Sequence, residues 1–379
     1  MQPISKSDAA AKINRRRALT IGSAVVASGT LMPHVSGAEN PDDHPIVGSG
    51  DFRYRFVDSP YVLPSKYKFE WTHNVAVGSN GLVYIIHEGI TPDHPSIFVF
   101  DENDRFVRAF GQILQGGGHG IEIRQENGED VVYATAYQRQ RSLAKFTTDG
   151  TVIWHKTAPM QATGYAAGED IVPRKDNPWG RNRFMPTNIA FNTDGTIFVA
   201  DGYGSYRVHQ YDKDGNWIDV FGKPGRKEKG AKTTPEGTFD LPHGIWLDQR
   251  KPGEPLLVIA DRSNNRLQWF TRDGDFVKSQ DGYLLPCNFD IRDDVLVVPE
   301  YGGRITLLDK DDKVIVRFGD KTPQHQKTET PSGKIDKNNP ATWPPGRLLA
   351  AHDACFDASG NILVAERIKA GRMVRLEKA

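Results

Sequence analysis

A chain of 379 residues in which 48 Lys and Arg balance 48 Asp and Glu has no formal net charge, which excludes recruitment of nucleic acid or anionic membrane by a global field. The length is enough to bury a large core, and 37 glycines with 24 prolines suit a turn-rich β protein rather than a helical one. The two cysteines, Cys287 and Cys355, exclude a CxxC zinc cluster and leave one disulfide open.

At the N-terminus, Asn14-Arg15-Arg16-Arg17-Ala18-Leu19-Thr20 leads into a modestly apolar run, Ala18 to Met32, with a small-x-small cleavage site at Ser36-Gly37-Ala38. The run is too short and too rich in Gly, Ser and Thr to span a bilayer. Residues 1–38 therefore read as an export signal, with mature protein expected from near Glu39 and no stable membrane insertion after cleavage. The arginine pair resembles a twin-arginine signal, from which Ala18 and Thr20 depart. That resemblance implies a protein exported already folded, to a periplasm or the outside. Residues 39–70 follow as an N-terminal segment containing a spare strand, "DFRYRFV" (Asp51–Val57).

From residue 71 to 379 one plan repeats six times: a strand, a Gly/Asp turn, an apolar strand ending in a small or acidic residue, then two more strands. The second strand pair is plain in "RVHQYDKDGNWIDVFG" and "RLQWFTRDGDFVKSQDG". Four short strands per unit predict an all-β fold, a six-bladed β-propeller. Asp51–Val57 is expected to complete the last blade and close the ring, so that no sheet edge stays open. The proline or apolar residue, glycine-apolar pair, "DG", "VAD" and "NR" of each unit resemble NHL repeats. Polar insertions at Thr157–Phe184, Lys223–Phe239 and Asp320–Leu348 read as surface loops.

Aligning the units puts His73, His119, Thr187, His243, Cys287 and His352 at the start of the six innermost strands. Blades two, four and six each contribute a histidine. Alternate blades of a six-fold ring are about 120° apart, so three imidazoles can converge on the axis, the pattern of a catalytic zinc site with open positions. His73 falls outside that alternation and is read as a substrate contact or a group behind the ligands. Asp353 could serve a second, oxygen-preferring ion, orient a histidine or cap a turn.

A second ring lies where the second strand of each unit ends: His87-Glu88, Ala136-Tyr137, Asp201-Gly202, Asp261-Arg262, Glu300-Tyr301 and Glu366-Arg367. The recurrent acid is expected to bond backbone or a neighbouring blade's arginine. The residue beside it varies, which is where specificity belongs in such a frame. Arg262 offers a fork suited to a carboxylate. Tyr203, set between Gly202 and Gly204, reads as an exposed phenol on an unusual turn.

The stretches "GHGIEI", "PTNIAFNTDGTIFVADGYGSYRVHQYDKDGNWI", "LPHGIWL", "LVIADRSNNRLQWF" and "HDACFDASGNILVAE" together resemble the peptidyl-α-hydroxyglycine α-amidating lyase family. The resemblance covers blades two to four and six well and blade five poorly. It implies zinc on His119, His243 and His352, and a structural calcium on Asp353 with backbone carbonyls. It also implies Tyr203 as general base and Arg262 on the substrate carboxylate. The reaction implied is cleavage of a carbinolamide's C–N bond to an amide and glyoxylate. One departure is clear: the family's "HRG", whose arginine helps hold substrate, is His87-Glu88-Gly89 here, so the substrate can differ. Glu88, Tyr137, Tyr301, Arg367 and His73 are expected to contact substrate or to stand behind the ligands.

Two other functions fit such a chain: a non-enzymatic NHL propeller binding a protein or peptide, and a calcium-dependent lactonase-like hydrolase. The expected partner of the leading reading is a small-molecule or peptide substrate, met by a monomer with no role for nucleic acid.

Overall fold

The computed structural model describes residues 44–319, 329–330 and 333–379, apart from 163, 227, 229, 230, 232 and 254. The export signal expected over residues 1–38 lies outside the described residues, as do residues 320–328 of the third insertion. Five four-stranded antiparallel meanders follow one another in the chain, and a sixth antiparallel sheet, of five strands, joins the first two strands to the last three. The innermost strands are Thr72–Val77, Gly118–Glu126, Ile189–Phe191, Pro242–Asp248, Asp290–Arg292 and Ala351–Phe356. The fold is the expected all-β, six-bladed propeller.

The pattern of apolar residues explains why these segments are strands and why they stack. Second strands such as Val83–His87 and Ile197–Ala200 are buried on both faces, as near-continuous apolar runs require. Outermost strands alternate: Phe276–Asp281 shows every second residue to solvent. Most of the core therefore lies between neighbouring blades. Tyr84, Ile86, Ile97 and Val99 of blade one pack on Ile121, Val132 and Ala134 of blade two. Phe198 and Ala200 of blade three meet Ile245, Leu257 and Ile259 of blade four in the same way.

The ring closes through blade six. Phe52–Asp58 pairs antiparallel with Arg372–Lys378, in register from Tyr54 opposite Lys378 to Asp58 opposite Val374. Ile46–Ser49 then adds a short strand outside it. Tyr54 and Phe56 are buried in the core shared by blades five and six, and the Arg372 guanidinium ties Asp58 to Glu366. N- and C-terminal strands thus share one sheet, which protects its edge.

The recurrent acids bind as a repeat feature, with one correction to the expected partner. Asp261, Glu300 and Glu366 pair with Arg266, Arg304 and Arg372, which lie on the next strand of the same blade rather than on a neighbouring blade. The same carboxylates accept backbone N–H groups of Asp240, Leu284 and Ala350. Asp201 has no such arginine and accepts from the Met185 and Ser205 N–H groups and the Tyr165 hydroxyl. Cys287 and Cys355 are buried and free, with no disulfide between them. Among the described residues no helix is long and apolar enough to cross a membrane.

Candidate active site

The six register residues sit together at the beginning of the inner strands, and even and odd blades supply different groups. His119, His243 and His352, from blades two, four and six, each turn Nδ1 onto a main-chain carbonyl of the next blade. The acceptors are Thr187 at 3.0 Å, Cys287 at 2.8 Å and His73 at 2.7 Å. Those three carbonyls belong to the register residues of blades three, five and one. A carbonyl only accepts, so each Nδ1 carries its hydrogen and each Nε2 keeps its lone pair. Burial pushes all three imidazoles well below the usual histidine range, so they are neutral.

The "HG" pairs that carry two of these histidines have a steric reason. A Cβ on Gly120 would lie 2.4 Å from the Thr187 carbonyl oxygen, and one on Gly244 2.4 Å from that of Cys287. These are the oxygens that receive the imidazoles, so glycine allows the next blade to come close enough to orient each ring. In blade six Asp353 takes the glycine's place. Its carboxylate accepts from the Val75 N–H at 2.8 Å and from Asn288 Nδ2 at 2.7 Å.

Ring centroids of the three even-blade histidines lie 4.5 to 5.1 Å apart. Tyr203 reaches between two of them: its hydroxyl is 3.0 Å from His243 Nε2 and 3.3 Å from His119 Nε2. His352 Nε2 is buried without a partner. One phenolic proton thus lies within reach of two of the three bare nitrogens and none serves the third, and a bound cation would satisfy all three. Potential ligand atoms of His73, His119 and His352, and separately of His243, Cys287 and His352, come within 4.8 Å of one another.

Tyr203 is buried, not exposed as its turn suggested, with rings of Trp179, Tyr137 and His119 around it. Neither flanking glycine has positive φ; both are needed for space. A Cβ on Gly202 would meet the Pro242 carbonyl at 2.1 Å, and one on Gly204 the Arg183 carbonyl at 2.1 Å. Burial raises the Tyr203 hydroxyl above the ordinary phenol range, while Arg262 and Arg367 oppose the rise. Arg262 Nη1 lies 3.4 Å from that hydroxyl, and its guanidinium stacks over Tyr301 at 4.5 Å.

Glu88 is also inside the site but not as an uncompensated charge. Its Oε1 accepts from the Tyr137 hydroxyl and lies 3.1 Å from His73 Nε2 and 3.4 Å from Arg367 Nη2. Arg367 stacks over Trp71 and reaches toward the Tyr301 hydroxyl. The structure thus brings His73, Glu88, Tyr137, Tyr203, Arg262, Tyr301 and Arg367 to the histidine end.

Some residues escaped the sequence reading. Trp179 comes from the Thr157–Phe184 insertion and lies edge-on to Tyr203 at 5.4 Å, and Lys337 from the Asp320–Leu348 insertion sits over Tyr301. Nothing in an isolated loop sequence tells which face of the ring it crosses. A readable signal was overlooked beneath the histidines: blades one, three and five follow the register residue with Asn74, Asn188 and Asn288. Asn188 accepts from Asn74 Nδ2, and the Oδ1 atoms of Asn74 and Asn288 are buried without partners. Later residues of the inner strands line a cavity of about 450 Å³ carrying Glu122, Asp290 and Asp353. Burial raises Asp290 and Asp353 to about 7, and Glu122 well above the carboxylate range.

No family model matches the chain. It is 28% identical over 243 residues to a peptidylglycine alpha-amidating monooxygenase from Rattus norvegicus, covering 59% of this chain and 23% of that one. A peptidyl-alpha-hydroxyglycine alpha-amidating lyase 1 from Drosophila melanogaster is 34% identical over 101 residues, 27% of this chain and 18% of that one. The human NHL repeat-containing protein 3 is 27% identical over 209 residues, covering 53% and 52%. The chain spans about a fifth of the first two relatives' length. Among solved structures, a gluconolactonase from Xanthomonas campestris superposes with TM-score 0.53 at 13% identity, over 89% of this chain and 96% of that one, a likeness of fold alone. The chain is a six-bladed β-propeller homologous, at modest identity, to proteins named peptidyl-α-hydroxyglycine amidating lyase and to NHL repeat proteins.

Proposed function

We propose that the chain is a metal-dependent lyase that cleaves the C–N bond of an α-hydroxyglycine-type carbinolamide to an amide and glyoxylate. The observation that carries this reading is the set of three Nε2 lone pairs, each oriented by a carbonyl of the next blade, converging beside one phenol. That donor set suits zinc. When bound to His119, His243 and His352, zinc would acidify and orient the substrate hydroxyl.

The chain's own groups supply the rest. Arg262 presents a guanidinium beside Tyr203, placed to hold a substrate carboxylate and to favour the phenolate. Tyr203 then accepts the hydroxyl proton as the carbon–oxygen double bond forms. The C–N electron pair leaves on nitrogen, which takes up the proton that Tyr203 accepted, completing the amide and restoring the base. Trp179 and Tyr137 shield the phenol from water, and Arg367 balances Glu88. Asp353, beside the unpartnered amide oxygen of Asn288, is suited to a structural calcium.

The setting that goes with this reading is export as a folded monomer acting on a small-molecule or peptide substrate. Glyoxylate release from α-hydroxyhippurate by the zinc-loaded protein tests it. Glyoxylate formed in step with substrate loss supports the lyase. Lactone hydrolysis with calcium and no glyoxylate would replace it by the hydrolase reading, and neither activity would leave a binding propeller.

A further inference from the structure

His73 breaks the alternation of the ring. It belongs to an odd blade, and its carbonyl accepts from His352 as those of Thr187 and Cys287 accept from their neighbours. Unlike them it also carries an imidazole. That ring lies among the others, 4.4 Å from the His119 centroid and 4.8 Å from that of His352, and is fully buried.

Its hydrogen bonding is the reverse of theirs. His73 Nε2, not Nδ1, is engaged, 3.1 Å from Glu88 Oε1. That oxygen already accepts from the Tyr137 hydroxyl and faces the Arg367 guanidinium, so it is an acceptor toward His73 as well. Nε2 then holds the hydrogen and Nδ1 the lone pair. Nδ1 is a buried atom with no partner. An imidazole with one nitrogen held by a carboxylate and the other bare in the interior is how metal-ligating histidines are presented. The potential ligand atoms of His73, His119 and His352 lie within 4.8 Å of one another.

We infer that His73 is a fourth metal-ligating nitrogen, binding through Nδ1, and that Glu88 is the positioning residue that sets its tautomer. The inference rests on the metal reading of the three even-blade histidines and changes what the site can do. Four protein nitrogens leave fewer positions for substrate than three, and Glu88 serves the ligand rather than the substrate.

The test is zinc binding to the whole folded protein, read by X-ray absorption for imidazole count and by chelator competition for affinity. Wild type should bind one zinc with four imidazoles. His73→Ala should show three and bind zinc about 10–100-fold more weakly, and Glu88→Leu should weaken it about tenfold or more. Glu88→Gln keeps an acceptor for Nε2–H and should stay within about threefold of wild type. Three imidazoles in wild type, with zinc affinity unmoved by His73→Ala, overturns the fourth ligand while leaving the other three in place. Wild type that binds no zinc overturns both. The wild-type imidazole count requires no variant, and metal-free melting curves identify a substitution that acts only by unfolding.

Discussion

Tyr203 Oη lies within 3.4 Å of His243 Nε2, His119 Nε2 and Arg262 Nη1, a position no other hydroxyl among the described residues is shown to hold. Removing that oxygen should remove the base and leave the metal. Tyr203→Phe is expected to lower kcat by about 10²–10⁴-fold with unchanged zinc content; turnover within twofold of wild type would exclude the role. The tyrosine itself was legible as an odd residue in a Gly-Tyr-Gly turn. Its burial was not, because Trp179, which helps enclose it, arrives from a distant insertion. A second residue gives a pH prediction. Burial holds His209 down to about 3, against an ordinary value near 6.5. Below pH 6.5 the unfolded chain therefore binds a proton there that the folded chain refuses, down to pH about 3. His209→Gln should melt progressively closer to wild type, or above it, as pH falls from 7 to 4. A melting-temperature difference that stays constant over that range contradicts this.

The unit of the site is the inner strand rather than the single histidine. An "HG" pair places an imidazole on the next blade's carbonyl and keeps its own main chain clear of that oxygen. Gly244→Ala puts a methyl 2.4 Å from the Cys287 carbonyl, where backbone rather than a flexible side chain must move. It should cost about 1–3 kcal/mol in urea unfolding and weaken zinc binding together, because the displaced carbonyl is what orients His243. Loss of stability without any change in zinc affinity would separate the two roles. The sequence showed the histidines at one register and at alternate blades, since that pattern is local to each repeat. It could not show that Thr187, Cys287 and His73 supply the acceptors, because those bonds cross between blades. The acids Asp261, Glu300 and Glu366 were expected to bond backbone or a neighbouring blade's arginine; they do bond backbone, but the arginine each pairs with lies on the next strand of its own blade.

At the scale of the whole molecule, closure of the ring keeps the six register residues converged. The closing strand buries Phe56 between blades five and six while Asp58 anchors Arg372. Phe56→Ala should therefore cost about 3–5 kcal/mol although Phe56 lies on none of the strands that carry the histidines, and a cost below about 1 kcal/mol would mean the strand is dispensable. The repeat made the blade count legible because each unit has its own apolar strands and turns. The substrate was not legible, because Glu88, Arg367, Trp179 and Lys337 come together only through blade order and insertion loops. Zinc stoichiometry and affinity in the purified folded protein and in His119→Ala, His243→Ala and His352→Ala test the metal centre most directly. One tightly held zinc per wild-type chain and zinc binding at least about tenfold weaker in each of the three variants are expected; wild type without zinc, or variants that hold it as tightly as wild type, would contradict a centre built on these three histidines.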